Sequence, residues 1–233
     1  MTKSLKNRLS QLKPALLAVA AAFSLHAHAS TFTLESTTVI FDEREQRVAF
    51  NVKNDGESPI LLVSKLEDLE ADSKISQRIL IAPPIARIDP GQSQQVNYAL
   101  KKGTKLGREY LLKASFEGIA QQGKGSMVMP IRQEIGFIVQ PSSVPHTKTP
   151  WQSLKLVADG KQLTVSNPSP HVVRLVPELT VMPSGKVATL DHPYLMPGES
   201  HTLDIEGSPE QVKITPLSRY GLVQQPVDLP VTR

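Results

Sequence analysis

A succession of short segments in which apolar and polar residues alternate is the feature that most limits the fold of this chain. Turn sequences separate the segments, at Asn-Asp-Gly 54–56, Asp-Pro-Gly 89–91 and Gly103. Alternation with a period of two is typical of β-strands, and no amphipathic helix is evident. Seven such segments follow residue 30 within about 110 residues, which predicts an immunoglobulin-like β-sandwich. They are TFTLESTTVIFD, QRVAFNVKN, SPILLVSKLED, ISQRILIAPP, QQVNYAL, YLLKASFEG and MVMPIRQEIGFIVQP.

A second series of strand-like segments follows a proline-rich stretch at residues 141–150. Its members are WQSLKLVAD, KQLTVSNPS, HVVRLVPELTV, KVATLD, HTLDIEG, QVKITPL and QQPVDLPV. The 19 prolines of the chain suit this fold, because proline is confined to the edges and turns of sheets. We therefore predict an all-β chain of two immunoglobulin-like β-sandwich domains in tandem, at residues 30–142 and 151–233, joined by a linker at residues 143–150.

Residues 1–29 have the pattern of a secretory signal peptide. Four basic residues and no acidic ones accompany a short apolar run, ALLAVAAAFSL, and the small-residue sequence Ala-His-Ala ends at residue 29. A run of about 11 residues is too short to cross a bilayer as a helix; an amphipathic first helix is the alternative. Removal of the signal leaves Ser30 first and reduces the basic residues from 26 to 22, which equals the 22 acidic ones. This balance predicts neither nucleic-acid binding nor membrane insertion.

The residue content argues against an enzyme. The absence of cysteine excludes thiol catalysis, thiolate zinc sites and disulfides. The four histidines after the signal, at positions 146, 171, 192 and 201, lack the spacing of metal ligands, and no Ser-His-Asp arrangement can be assembled. Gly123-Lys124-Gly125 is not followed by a helix, as a phosphate-binding loop requires. We therefore expect no catalytic residues, no metal and no cofactor.

Several stretches match one protein family in order and separation. They are VIFDEREQRVAFNVKND (39–55), IAPPIARIDPGQSQQV (81–96), REYLLKASFEG (108–118), GFIVQP (136–141), Trp151 and VSNPSPHVV (165–173). Through them the chain resembles the PapD-like periplasmic chaperones of the chaperone–usher pilus pathway. The resemblance implies a periplasmic chaperone whose partners are pilus subunits and an outer-membrane usher. The alternative function is that of a structural or adhesive β-sandwich protein of the cell surface.

The last strand-like segment of the first domain begins with an alternating apolar row, Met127, Met129 and Ile131. Alternate side chains of a strand share one face, and the edge of a sheet offers unpaired N–H and C=O groups to another chain. The resemblance implies that this row completes the fold of a pilus subunit by donor-strand complementation. The alternative is that the row faces the core of its own domain. Pro130 interrupts the row and has no N–H to donate.

The resemblance also implies a site for the subunit's C-terminal carboxylate, formed by two basic residues between the domains. The matching positions are Thr38 and Gly136, and neither is basic. If residues 109 and 140 face each other in an antiparallel pair, Lys113 lies opposite Gly136 and can reach the same place. Lys113 is thus a possible substitute anchor or, alternatively, a solvated strand residue. Arg132 is a second, more distant candidate.

The family further has an ion-pair cluster at the domain junction. Its acidic member matches Glu109, its strand-end arginine matches Gln140, and its second acid matches Arg219. Because Arg219 is basic where the family has an acidic residue, we expect Glu109 to pair with Arg219 across the junction.

Overall fold

The computed structural model describes residues 32–70, 72–120 and 129–233. Two layered β-structures follow one another along the chain, as the alternating segments predict. The helical segments of these ranges are three short 3-10 turns, Glu43–Glu45, Ser76–Arg78 and Pro150–Ser153. The predicted signal peptide and Met127 lie outside the described residues.

The first domain is a sandwich of nine strands. They are β1 (Phe32–Leu34), β2 (Thr38–Asp42), β3 (Arg47–Asn54), β4 (Ile60–Asp68), β5 (Ile79–Ala82), β6 (Ile85–Ile88), β7 (Ser93–Leu100), β8 (Tyr110–Ala120) and β9 (Ile131–Gln140). One sheet has the order β1-β3-β7-β5, and the other has the order β2-β9-β8-β4-β6. Between them lies a core whose largest fully buried side chains include Tyr98, Phe41, Phe116 and Phe137.

The first predicted strand is divided between the two sheets. The segment TFTLESTTVIFD bends at residues 35–37, so β1 pairs with β3 in one sheet while β2 pairs with β9 in the other. The pairing of β2 with β9 is parallel, in contrast to the antiparallel pairing of β9 with β8. This division and the additional strand β6 account for nine strands in place of the predicted seven.

The second domain contains another nine strands. They are β10 (Lys155–Asp159), β11 (Gln162–Ser166), β12 (Val173–Arg174), β13 (Glu178–Met182), β14 (Lys186–Thr189), β15 (Tyr194–Leu195), β16 (Ser200–Asp204), β17 (Gln211–Ile214) and β18 (Val227–Pro230). The sheets have the orders β10-β11-β16, β12-β15 and β14-β13-β17-β18. The segment HVVRLVPELTV, predicted as one strand, forms β12 and β13 because Pro177 lies between them.

A small apolar cluster joins the two domains. Leu111 of β8 and Ile138 of β9 contact Val172 and Met196 of the second domain, and all four are buried. Leu111 and Ile138 are direct cross-strand partners, so the outer face of the first domain's sheet is covered by the second domain at this point. The predicted linker at residues 143–150 carries no strand, and its exact bounds stay a prediction. No helix within the described ranges is both long and apolar enough to span a membrane.

Candidate functional site

Among the described residues, one half of β9 has a free backbone edge. β9 pairs with β8 from Ile131 to Val139, but β2 covers its other side only from Gly136 to Gln140. Within the described ranges, residues 131–135 therefore have no backbone partner on the β2 side. Five residues of extended chain are about 17 Å long. The edge can accept a further strand of this length in line with β2.

The free half of β9 presents a mixed row of side chains on its core-facing side. Met129, just before the strand, is 77% exposed. Ile131 and Ile135 are partly buried and contact the core of the first domain. Gln133 lies between them and donates from Nε2 to the carbonyl oxygen of Phe32 at 2.7 Å. The row thus extends the core face of the domain toward solvent. Its side chains range from the exposed Met129 at one end to the fully buried Phe137 at the other.

Pro130 lies outside the paired part of β9. The strand begins at Ile131, whose partner in β8 is Gly118, and Pro130 is exposed. Its missing N–H therefore removes no ladder hydrogen bond between β8 and β9 within the described residues. Met129 and Ile131, which flank it, belong to the predicted guest-binding row, whereas the third member, Met127, is not among the described residues.

Thr38 and Gly136 meet at the base of a cleft between the domains. They are direct partners where β2 first joins β9. An arginine of the second domain, Arg174 of β12, enters the same place and donates from Nη1 to Thr38 Oγ1 at 3.0 Å and to the carbonyl oxygen of Arg219 at 2.9 Å. A Cβ built on Gly136 would lie 3.5 Å from Arg174 Nη1. Thr38 and Gly136, the two non-basic positions, therefore lie next to the guanidinium of Arg174 from the second domain.

Lys113 lies directly opposite Gly136, in the register that the sequence argument assumed. Its Nζ is 2.8 Å from Glu67 Oε2 and 3.5 Å from Glu134 Oε1. The hydrogen bond to Glu67 and the charge of both carboxylates raise the pKa of Lys113 above its ordinary value, against a smaller effect of desolvation. Lys113 is thus at the cleft, but its charge is already balanced by acidic neighbours.

Arg132 lies on β9 two residues before Glu134, on the side away from Gly136. It pairs with its cross-strand partner Glu117, and its Nε is 3.0 Å from Glu117 Oε2. This carboxylate holds the pKa of Arg132 above its ordinary value. Of the two candidate substitute anchors, only Lys113 lines the cleft with Gly136.

Glu109 and Arg219 lie together at the domain junction. Arg219 Nη2 is 3.4 Å from Glu109 Oε1, and the Glu109 side chain is almost fully buried. Glu109 Oε2 also accepts a hydrogen bond of 2.8 Å from the backbone N–H of Val172. Arg219 Nη1 contacts His146 Nδ1 at 2.9 Å, in the linker region. The third position of the family cluster, Gln140, instead donates to the carbonyl oxygen of Val144 at 2.7 Å.

Arg174 is the functional candidate that the sequence reasoning missed. Its guanidinium comes from a position 136 residues away from Thr38, and no motif connects the two. The available signal was a charged residue inside the apolar run HVVRLV, since a charged residue is seldom buried unless it is paired. Over the described part of the chain, no group of three or more His, Asp or Glu side chains could hold a metal ion.

The comparisons with known proteins agree with this architecture. Residues 31–145 match the family described as pili and flagellar-assembly chaperone, PapD N-terminal domain, and residues 149–227 match pili assembly chaperone PapD, C-terminal domain. The uncharacterized fimbrial chaperone YhcA of Escherichia coli K12 is 32% identical over 201 residues, which cover 85% of this chain and 89% of the relative. The chaperone protein MrkB of Klebsiella pneumoniae is 26% identical, with coverage of 65% and 70%.

Solved structures share the fold. A chain in the complex of the Salmonella enterica SafA pilin with the SafB chaperone matches with a TM-score of 0.70 and 23% identity, over 87% of this chain and 97% of that chain. The E. coli chaperone DraB matches with a TM-score of 0.69 and 21% identity, over 86% and 98%. The prediction of two tandem immunoglobulin-like β-sandwiches is confirmed. Since the two family matches together cover most of the chain, this protein belongs to the PapD family of pilus assembly chaperones.

Proposed function

We propose that this protein is a periplasmic chaperone that binds pilus subunits through the free edge of β9 and delivers them to an outer-membrane usher. The observation that carries the proposal is the five-residue edge at residues 131–135, which is unpaired within the described ranges and bordered by apolar side chains. Family membership supplies the class of guest. The usher and the periplasmic location are inferred from the family, together with the signal-like sequence at residues 1–29.

Two interactions would hold the guest. Backbone hydrogen bonds along residues 131–135 would extend the sheet by one strand. The apolar side chains Met129, Ile131 and Ile135 would at the same time contact the exposed core of a subunit that lacks its own last strand. Full burial of a side chain of this size is worth about 1.5–3 kcal/mol. Because methionine is flexible, Met129 can adapt to subunits of different shape.

Binding and release of the guest require no chemical step; the guest later exchanges β9 for a strand that fits it better. We infer that the protein acts by binding and not by catalysis, without a metal or cofactor. The alternative of a structural or adhesive surface protein has less support, since each domain of this chain ends in its own paired strand, β9 and β18, and needs no strand from another molecule.

The test is co-expression with a pilus subunit encoded near the gene for this chain, followed by co-purification. The wild-type protein should retain the subunit. Met129→Asp should lose most of it, more than about tenfold, because the complex would bury an unpaired carboxylate. The free protein should keep its stability within about 0.5 kcal/mol, because Met129 is 77% exposed.

A matched control is Val187→Asp in β14 of the second domain, which places the same charge at a residue that is 59% exposed. This variant should capture the subunit as well as the wild type does. Equal capture by Met129→Asp and wild type would contradict the role of the row, and no capture by the wild type would contradict the proposed guest.

A further inference from the structure

Gln133 is a polar residue in the middle of the uncovered half of β9. Its cross-strand partner in β8 is the fully buried Phe116, and cross-strand partners share a face of the sheet, so Gln133 points to the core-facing side. Its neighbours on that face, Ile131 and Ile135, contact the apolar core of the first domain. Glutamine is mostly exposed in proteins, so packing alone does not account for this residue within an apolar row.

One contact fixes the orientation of the Gln133 carboxamide. Its Nε2 donates to the carbonyl oxygen of Phe32, the first residue of β1, at 2.7 Å. β1 is an edge strand of the other sheet, so this hydrogen bond crosses the open side of the sandwich. Because a carbonyl oxygen can only accept, the nitrogen of the carboxamide must face Phe32, and its oxygen faces away from Phe32.

The remainder of the carboxamide is free to bind a guest. Within the described ranges, Gln133 Oε1 has no hydrogen-bond partner, and Nε2 carries a second N–H besides the one that Phe32 accepts. The side chain is only partly buried, so water can reach these groups in the free protein. A strand that covers residues 131–135 would remove this water. A polar group that is buried without a partner costs free energy, so such a strand must replace the lost hydrogen bonds or bind weakly.

The guest residue that pairs with position 133 is the one that meets this carboxamide. Directly paired residues have Cβ atoms about 4.5–5.5 Å apart and side chains on the same face. An apolar side chain at this position would leave the oxygen and the N–H of Gln133 unpaired, whereas a second carboxamide offers one donor and one acceptor in return. The guest residues that pair with Ile131 and Ile135 meet apolar side chains instead.

We propose that Gln133 selects guest strands that carry a carboxamide side chain, asparagine or glutamine, at the position paired with it, between apolar residues paired with Ile131 and Ile135. Gln133 can act in this way only if a guest strand pairs with this edge, so the inference rests on the proposed function. It adds one hydrogen-bonded specificity position to a row that otherwise binds by hydrophobic contact. A polar pair within an apolar interface discriminates against partners that lack the polar group, at some cost in affinity.

The experiment is an NMR titration of the purified wild-type protein with two capped peptides, which contain Val-Ser-Asn-Ser-Val or Val-Ser-Leu-Ser-Val between lysines. Asparagine and leucine are similar in size, so the peptides differ chiefly in the carboxamide. The pattern is symmetric about its central residue and therefore presents the same side chains to Ile131, Gln133 and Ile135 in either strand direction. We expect the side-chain amide resonances of Gln133 to shift further with the asparagine peptide than with the leucine peptide.

The variant Gln133→Leu removes the carboxamide from the protein. The ratio of the affinities for the asparagine and leucine peptides should fall at least about tenfold from wild type to this variant, because the variant loses the hydrogen bonds to asparagine and no longer opposes leucine. Loss of the hydrogen bond to Phe32 would weaken both peptides alike, so a merely structural role would not change this ratio. Gln95→Leu, at an exposed glutamine of β7, is the matched control and should keep the wild-type ratio.

The ratio and the resonances together decide the role of Gln133. A change of less than about twofold in the ratio, the range within which independent substitutions add, would overturn the specificity role and leave the proposed function intact. Failure of both peptides to bind the wild type would contradict strand pairing at β9, and with it both proposals. If Gln133→Leu does not fold, Gln133→Met takes its place. If neither variant folds, the wild-type titration still decides, since equal shifts of the Gln133 amide with both peptides would contradict the role.

Discussion

Asp68, the last residue of β4, organises the segment that follows it. Its Oδ1 accepts hydrogen bonds from Ser73 Oγ at 2.6 Å, from the N–H of Ile75 at 2.8 Å and from the N–H of Ser76 at 3.1 Å. Desolvation raises the pKa of Asp68, but these hydrogen bonds outweigh it, so the pKa lies below its ordinary value of 3.8. The carboxylate is therefore more stable in the folded than in the unfolded chain.

This depressed pKa predicts a pH-dependent contribution to stability. The contribution is fully present above a pH of about 3.8 and is lost as the pH falls through the lower folded-state value. Asp68→Asn should be about 1–2 kcal/mol less stable than wild type near pH 6, the scale of one such hydrogen bond. The difference should shrink in urea unfolding at a pH of about 2.5. The exposed Asp72→Asn is the control, and a difference that is independent of pH would contradict the argument.

At the scale of single elements, β8 requires a glycine at position 118. A Cβ on Gly118 would lie 2.8 Å from Cδ1 of Phe32, which is 4% exposed and belongs to the first core. Gly118 also pairs with Ile131, the first residue of β9. The close approach of Phe32 therefore positions β1 across the beginning of the free edge.

Gly118→Ala should reduce the free energy of unfolding by about 1–3 kcal/mol, because the added methyl group must displace the Phe32 ring from the core. Urea unfolding of the purified variant measures the loss. Gly107→Ala, where a Cβ would meet no atom within 4 Å, is the matched control and should change stability little. Equal stability of Gly118→Ala and wild type would mean that Phe32 has room to move.

The elements also show what sequence can predict. The strands β3, β4, β7 and β8 follow directly from alternation and turn residues, because each has one face on the core. The division of TFTLESTTVIFD between two sheets does not, since alternation continues through the bend. Likewise the sequence placed an apolar row from Met127 to Ile131, of which Met127 lies outside the described residues, and β9 itself begins at Ile131. Only the parallel pairing with β2 shows that residues 131–135 have no partner on that side among the described residues.

At the scale of the whole molecule, the contacts that join the domains include an apolar cluster and a charged pair. Glu109 binds the second domain through Val172 N–H and lies 3.4 Å from Arg219. His171 Nδ1 is also 3.4 Å from Glu109 Oε1. Family positions led to the assumed register and to the expected pair of Glu109 and Arg219, but not to the contacts of Glu109 with Val172 and His171. Arg174 could not be placed from sequence either, because its location depends on how the two domains meet.

A double-mutant cycle of Glu109→Gln and Arg219→Gln should show a coupling free energy of about 0.5–3 kcal/mol in the unfolding of the whole protein. The reason is that removal of either partner leaves the other charge buried at the junction. The exposed pair Arg87 and Asp89 provides the control cycle, with coupling of about 0–1 kcal/mol. Strict additivity of the Glu109 and Arg219 substitutions would contradict a stabilising pair.

The start of β2 at Thr38 limits the length of strand that the uncovered half of β9 can receive. A strand that pairs with residues 131–135 meets the first residue of β2 at Thr38, and its successive side chains point alternately toward and away from the core face. A shift of such a strand by one residue would invert every side chain, and a shift by two would restore the facing but move each residue to the next position along β9. The length of this edge would thus favour guest strands with a suitable spacing of apolar positions, as well as sufficient hydrophobicity.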